Sequence, residues 1–110
     1  MGHRAGDVVL SRPYKVVGSN APVFDGNEAC CWFVKMTSNC NNAILKNVTP
    51  GTLYSFVFTQ DAVGGNTFVW PNNCINPPEI NTAPNAIFTA NFVGMVGGKI
   101  NSDTTGARTP

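Results

Sequence analysis

Enzyme chemistry needs groups that exchange protons or electron pairs at short range, and this chain offers few of them. Its one histidine is His3, so no Ser-His-Asp or Cys-His relay can be built inside the body of the chain. Asp25, Glu28, Asp61 and Glu79 are the acidic residues of that body, and each lies in or beside a turn. A retaining glycosidase needs two carboxylates close together. Asp25 and Asp61 read instead as turn formers whose side chains accept local backbone N–H groups. The four cysteines are Cys30, Cys31, Cys40 and Cys74. On a strand, Cys30 and Cys31 point to opposite faces and cannot jointly chelate a metal. Cys40 and Cys74 lie in loops at strand ends, where a disulfide between them is possible. A chain made in a cytosol is expected to keep free thiols that act as small core hydrophobes. The expectation is no catalytic residue, no metal and no cofactor.

Two tryptophans and two tyrosines (Trp32, Trp70, Tyr14, Tyr54) raise the possibility of a sugar-stacking platform. Trp70, however, is in phase with Phe68 on a β-rich run, which places it in a core. The loop from Asn72 to Asn85 carries no aromatic residue to stack on a sugar. The sequon Asn47-Val48-Thr49 is followed by Pro50 and reads as chance.

Composition narrows the classes further. At 110 residues the chain is expected to form one domain. Only 12% of it is charged, with a net charge of +1, against roughly 25% charged residues in soluble proteins generally. The polar surface comes instead from 14 Asn and 10 Thr, a composition common in chains that bury much of their surface in an assembly. The seven Lys and Arg are scattered without a run, so no footprint for nucleic acid is present. No stretch reaches the ~18 apolar residues of a membrane helix, and no membrane contact is expected. Met1 to Asp7 lack the apolar run of a signal peptide, so the chain is expected to be made in a cytosol and not exported by the usual route.

The elements follow from period and punctuation. Leu53 to Gln60 alternates Tyr54, Phe56 and Phe58 with Ser55, Val57 and Thr59, the period of two that puts three rings on one strand face. Asp61 to Asn66 contains Gly64-Gly65, which supply the positive φ of a hairpin turn. Thr67 to Trp70 then reads as the second strand of that hairpin, ended by Pro71. Five aromatics in the 17 residues from Tyr54 to Trp70 are enough to seed a β core. Earlier, Val23-Phe24 begins the first core strand. Ala29–Met36 follows, with Cys30, Trp32 and Val34 alternating with Cys31, Phe33 and Lys35, so both of its faces are largely apolar. A strand of that kind is covered on both sides, by its own domain or by a neighbour. Ala43-Ile44-Leu45 is a short strand, and Ala86–Val93 is the last core strand, with Phe88 and Phe92 on one face. Gly94, Gly97 and Gly98 frame a hairpin to Lys99-Ile100. No segment has a helical period with caps.

The fold class expected is therefore all-β, an antiparallel β-sandwich of jelly-roll type. Its core is Phe24, Tyr54, Phe56, Phe58, Phe68, Trp70, Phe88 and Phe92. Residues 23–100 form the sandwich, residues 1–22 an N-terminal arm and residues 101–110 a C-terminal tail. The arms have few side chains to bury, and ordering them costs roughly 1–2 kcal/mol per residue in backbone entropy. A partner surface is expected to supply the difference. The candidate contacts with neighbouring subunits or a shell are Val8, Val9, Leu10, Arg12, Tyr14, Trp32, Ile75, Pro77, Pro78 and Arg108.

The stretch Thr49 to Pro71 (TPGTLYSFVFTQDAVGGNTFVWP) also resembles a β-sandwich domain of tailed-bacteriophage virion-surface proteins. The resemblance lies in its Thr-Pro-Gly entry turn, its aromatic strand ending in Gln-Asp, its Gly-Gly turn and its closing Trp-Pro. It extends back to Pro22-Val23-Phe24-Asp25 and forward to Ile87–Gly98. It implies a structural, non-enzymatic role on the virion surface after assembly in the host cytoplasm. The leading expectation is a capsid decoration (cement) protein, a homotrimer bound to the major capsid protein. The alternatives are a tail-fibre or baseplate module that binds receptor glycans, and a bacterial carbohydrate-binding or adhesion module.

Overall fold

The computed structural model describes residues 12–102. Its organising strand is Leu53–Gln60 (β5), where Tyr54, Phe56, Phe58 and Gln60 are buried and the intervening residues are exposed or half-buried. Alternation of aromatic and polar residues leaves this segment one way to sit: rings inward, Ser55 and Thr59 outward. Around it lie Tyr14–Gly18 (β1), Val23–Asp25 (β2), Cys31–Met36 (β3), Ile44–Lys46 (β4), Cys74–Ile75 (β6), Ile87–Met95 (β7) and Lys99–Ser102 (β8). No helix occurs among the described residues. The molecule is all-β.

The pairing differs from the antiparallel arrangement expected. A six-stranded sheet has the order β1-β3-β5-β7-β8-β6, and β2 and β4 form a separate two-stranded sheet. In the large sheet β1 runs parallel to β3 and β3 parallel to β5, while β5–β7 and β7–β8 are antiparallel. The short pairs β2–β4 and β6–β8 are parallel as well. The reason is the path of the chain. It leaves β1, passes through β2 in the other sheet and returns to β3, then repeats the excursion through β4 to reach β5. Each return brings the chain back in the same direction, and parallel neighbours require such a crossover. The sheet is mixed.

The second correction concerns residues 67–70. They form no strand with β5; Phe68 makes one isolated parallel bridge to Cys40. The backbone there crosses to the second layer, with the Cys40 N–H donating to the Thr67 carbonyl and the Val69 N–H to the Cys40 carbonyl, both at 2.8 Å. The turn before it is stabilised by Asp61, whose Oδ1 accepts the N–H groups of Val63 and Gly64. Gly64 and Gly65 both have positive φ, 71° and 77°. Gln60 and Asn66 then lock the crossing from inside. Gln60 Nε2 donates to the Asn66 carbonyl, and Asn66 Nδ2 donates to the Met36 carbonyl, each at 2.8 Å.

The domain limits also differ. Residues 14–18, read as part of an arm, form the edge strand β1, and β8 runs past residue 100 to Ser102. The six sheet strands need β1 for a simple reason: without it, the backbone of β3 would be an open edge.

One face of the large sheet carries the core. Trp32, Val34 and Met36 of β3, Tyr54, Phe56 and Phe58 of β5, and Ala90 and Phe92 of β7 are buried there. The second layer covers them. Phe24 of β2 packs edge-on to Trp32 and Phe56, at 5.4 and 5.0 Å between ring centroids. Phe68 lies 4.8 Å from Phe58, and Trp70 lies 5.3 Å from Phe56 and 5.1 Å from Phe92. Phe68, Trp70 and Phe88 are half-buried against this cluster rather than enclosed by it. Edge-to-face and offset pairs of this kind add about 0.5–1.5 kcal/mol each beyond burial of area.

Candidate contact surface

The residues that could do chemistry are dispersed. Asp25 closes a turn: its Oδ1 accepts the Asn27 N–H at 2.9 Å and Asn47 Nδ2 at 2.8 Å. Those two hydrogen bonds, the Asn47 side chain first, hold its carboxyl below the usual value of 3.8. Asp61 is occupied in its own turn, and Glu28 pairs with Lys15 at 2.8 Å on the surface. All four cysteines are free. Burial raises the Cys40 thiol and pushes Cys74 up to about 12, so both are inert fillers of the core. Among the described residues no group of three or more His, Cys, Asp or Glu is placed to hold a metal ion. The described residues contain no helix long and apolar enough to cross a membrane. His3 lies outside the described residues.

What the strands do assemble is an apolar surface. Because β3 is apolar on both sides, the face opposite the core presents Cys31 and Phe33, and their neighbours in register extend the row. Val16, Phe33, Val57 and Thr89 stand side by side across β1, β3, β5 and β7. Tyr14, Cys31, Ser55 and Asn91 form the next row. Tyr14 stands edge-on to Phe33 with centroids 5.8 Å apart. Tyr14 is 65% exposed, Val16 51% and Phe33 40%, whereas Trp32, Tyr54, Phe56, Phe58 and Phe92 on the core side are at most 1% exposed. Tyr14, Val16 and Phe33 line a shallow groove of about 850 Å³ that ends at Arg12 on one side and at Lys35 and Asp61 on the other. Within it, burial raises the Cys31 thiol, an effect the Arg12 charge partly offsets. Leu53 and Ile87 continue the exposed apolar surface over β5 and β7.

Arg12 is the strap at the groove's end. Its guanidinium donates to the Leu53 carbonyl, to the Cys30 carbonyl and to Ser55 Oγ, and Ser55 in turn donates to Asn91 Oδ1 at 2.9 Å. One side chain thus ties the entry of β1 to β3 and β5. Next to the groove, β1 is the end strand of the sheet and pairs on one side only.

The contact residues expected from sequence are dispersed. Arg12 and Tyr14 lie on this surface. Ile75 is half-buried in β6, at the opposite edge of the sheet, and Pro77 is exposed in the loop after it. Pro78 is half-buried and fixes the core, because its carbonyl accepts the Trp70 indole N–H at 2.8 Å. Trp32 is a correction: it is fully buried between Phe24, Tyr54 and Phe56 and touches no neighbour from there. Val8, Val9, Leu10 and Arg108 lie outside the described residues. The residue that replaces Trp32 on the contact surface is its neighbour Phe33. The signal was the doubly apolar alternation of β3, which leaves one large ring on each face.

No family model matches this chain, no curated protein matches its sequence, and no solved structure matches its fold.

Proposed function

We propose that this chain is a structural protein of a tailed-bacteriophage virion, a capsid decoration protein that binds the outside of the shell as a homotrimer. The two layers that enclose Phe24, Phe56 and Trp70 are read as its small sandwich. The observation that carries the proposal is the apolar outer face of β1, β3 and β5 beside an open strand edge. An exposed apolar patch of this kind is the usual mark of a protein contact. The resemblance of Thr49–Pro71 to virion-surface sandwiches gives that contact its setting, and the low charge suits a subunit embedded in a lattice. The dispersal of the carboxylates and thiols is consistent with a role in assembly.

A glycan-binding role would call for aromatic rings presented together at an open site. Trp32 and Trp70 pack instead into the core, and the two exposed rings among the described residues, Tyr14 and Phe33, stand edge-on to each other at 88° rather than as a flat stacking platform. The test is co-sedimentation of the purified chain with expanded phage capsids, with light scattering of the free protein alongside. Saturable binding to the shell, with a mass three times that of the chain on or off it, is the expected result. A monomer that leaves capsids bare would overturn the proposal, and so would a gene lying among tail-fibre genes whose product binds cell-surface glycans.

A further inference from the structure

We infer that in the free protein a second copy of this chain covers the outer face of β1, β3 and β5. The two copies lie face to face about a two-fold axis that crosses the strands along the Val16–Phe33–Val57 row. No described part of the chain covers that face as the second layer covers the other. The occupant is identified by the fit of the face to itself. Such an axis keeps each strand over its own counterpart and reverses the order of the rows. The row Val16, Phe33, Val57 then meets itself, and the row Tyr14, Cys31, Ser55 meets the row Gly18, Lys35, Thr59.

Size and charge both match in that arrangement. The exposed Tyr14 ring falls on Gly18 of the second copy, where a Cβ would meet no atom within 4 Å. Each ring thus enters a space that the other copy's β1 leaves open. Arg12 marks one end of the groove and Asp61 the other, so reversal of the rows brings the guanidinium of each copy toward the carboxylate of its mate. The turn at Asp61 uses only Oδ1 of that carboxylate, and a guanidinium has donors to spare beyond those Arg12 gives to its own sheet. Lys35, at the Asp61 end, has a long stem that takes its charge out past the rim. Ser55 and Asn91 already bond each other at 2.9 Å, which lowers the cost of taking them out of water.

The area sets the strength of the contact. Four strands about 4.8 Å apart, crossed by four rows about 7 Å apart from Leu53 to Thr59, give roughly 500 Å² of sheet per copy. Two such faces bury about 1,000 Å², the lower limit for a specific contact. That is enough for a pair that forms reversibly and comes apart on dilution. The inference goes beyond the virion proposal, because it concerns the free chain. A pair that comes apart leaves the face available to a shell.

The experiment is sedimentation equilibrium of the full chain over a dilution series, from millimolar to submicromolar. The expected mass falls from twice that of the chain to once. Phe33→Asp should give the single mass throughout, with the Trp32 and Trp70 indole NMR signals unchanged. Gly18→Leu is the sharper variant, because the single chain has room for the new side chain and the pair does not. It should weaken association at least tenfold, although added apolar surface would strengthen a non-specific contact. A single mass at the highest concentration would overturn the inference. So would a larger species that Phe33→Asp leaves intact, or association unchanged or tightened by Gly18→Leu. Capsid co-sedimentation is read separately: bare capsids beside a pair that depends on Phe33 would sink the virion reading and leave this one standing. Shell binding by a chain that never pairs would do the reverse.

Discussion

The two faces of one sheet are built from alternate residues of the same strands, yet they are different materials. On the inner face, Trp32, Phe56 and Ala90 are neighbours in register, sealed under Phe24, Phe68 and Trp70. One residue along each strand, Phe33, Val57 and Thr89 make a row with no described layer above it. The contrast teaches that hydrophobicity alone does not mark a core. What separates Trp32 from Phe33 is whether the chain's own excursions pass over it, and in this fold they pass over one side.

The contrast breaks hardest with Phe56→Ala. Phe56 meets Phe24, Trp32, Phe58, Trp70 and Phe92, so its loss opens a cavity that rigid aromatic neighbours cannot fill. A loss of about 3–5 kcal/mol is expected in urea unfolding. A second variant acts on the passage from the sheet to the covering layer. A Cβ on Gly64 would lie 2.6 Å from the Pro84 nitrogen and 2.8 Å from the Thr82 carbonyl oxygen, at a φ of 71°. Gly64→Val should therefore cost about 1–3 kcal/mol and loosen Phe68 and Trp70, visible as a red shift of tryptophan emission. Phe33→Thr, one position from Trp32, should cost about 1 kcal/mol or less, because the site is already open to water. A large loss of stability there would mean that the two faces are not distinct.

A further effect is a titration confined to alkaline pH. The folded Cys74 thiol, raised by burial to about 12 from its ordinary 9.0, keeps its proton when the unfolded chain begins to lose it. Its contribution to stability is thus complete below pH 9 and is lost as pH rises toward 12. Unfolding midpoints measured across that window should fall, and less steeply in Cys74→Ala. Cys31, on the open face, should react with a thiol reagent in the native state, whereas Cys40 and Cys74 should wait for unfolding.

Much of the strand content was legible because it rests on local pattern. The aromatic alternation of β5, the Phe88–Phe92 phase of β7 and the glycines at 97 and 98, both at positive φ, each act within a few residues. Strand partners were not legible in the same way. Thr67–Trp70 has the composition of a strand, but its backbone bonds go to Cys40 and not to β5, a choice made by residues far away in sequence. The parallel pairs were hidden for a related reason: short connections between β-rich runs look like hairpins until the intervening strand is known to lie in another sheet. On the contact surface, the doubly apolar β3 announced that something covers each side. It could not say which ring, Trp32 or Phe33, faces in, because an error of one residue inverts every side chain. Val16 was hard to place for a different reason, since a lone Val-Val pair before a loop is compatible with a strand or an arm.

The winding of the chain between sheets bears on how the molecule comes to be folded. A hairpin can close from its own turn, but β1, β3 and β5 find their neighbours only after β2 and β4 have been laid down elsewhere. The one sheet pairing joined by a tight turn is β7–β8; even β5 meets β7 across the long loop that carries Trp70 and β6. Chains dominated by such distant pairings fold in milliseconds to seconds, not microseconds. During that interval the Tyr54–Phe58 rings have no lid, and the second layer can form only once the strands beneath it are in register. Folding speed should therefore depend on the excursions, residues 19–30 and 37–52, more than on the aromatic strand they serve.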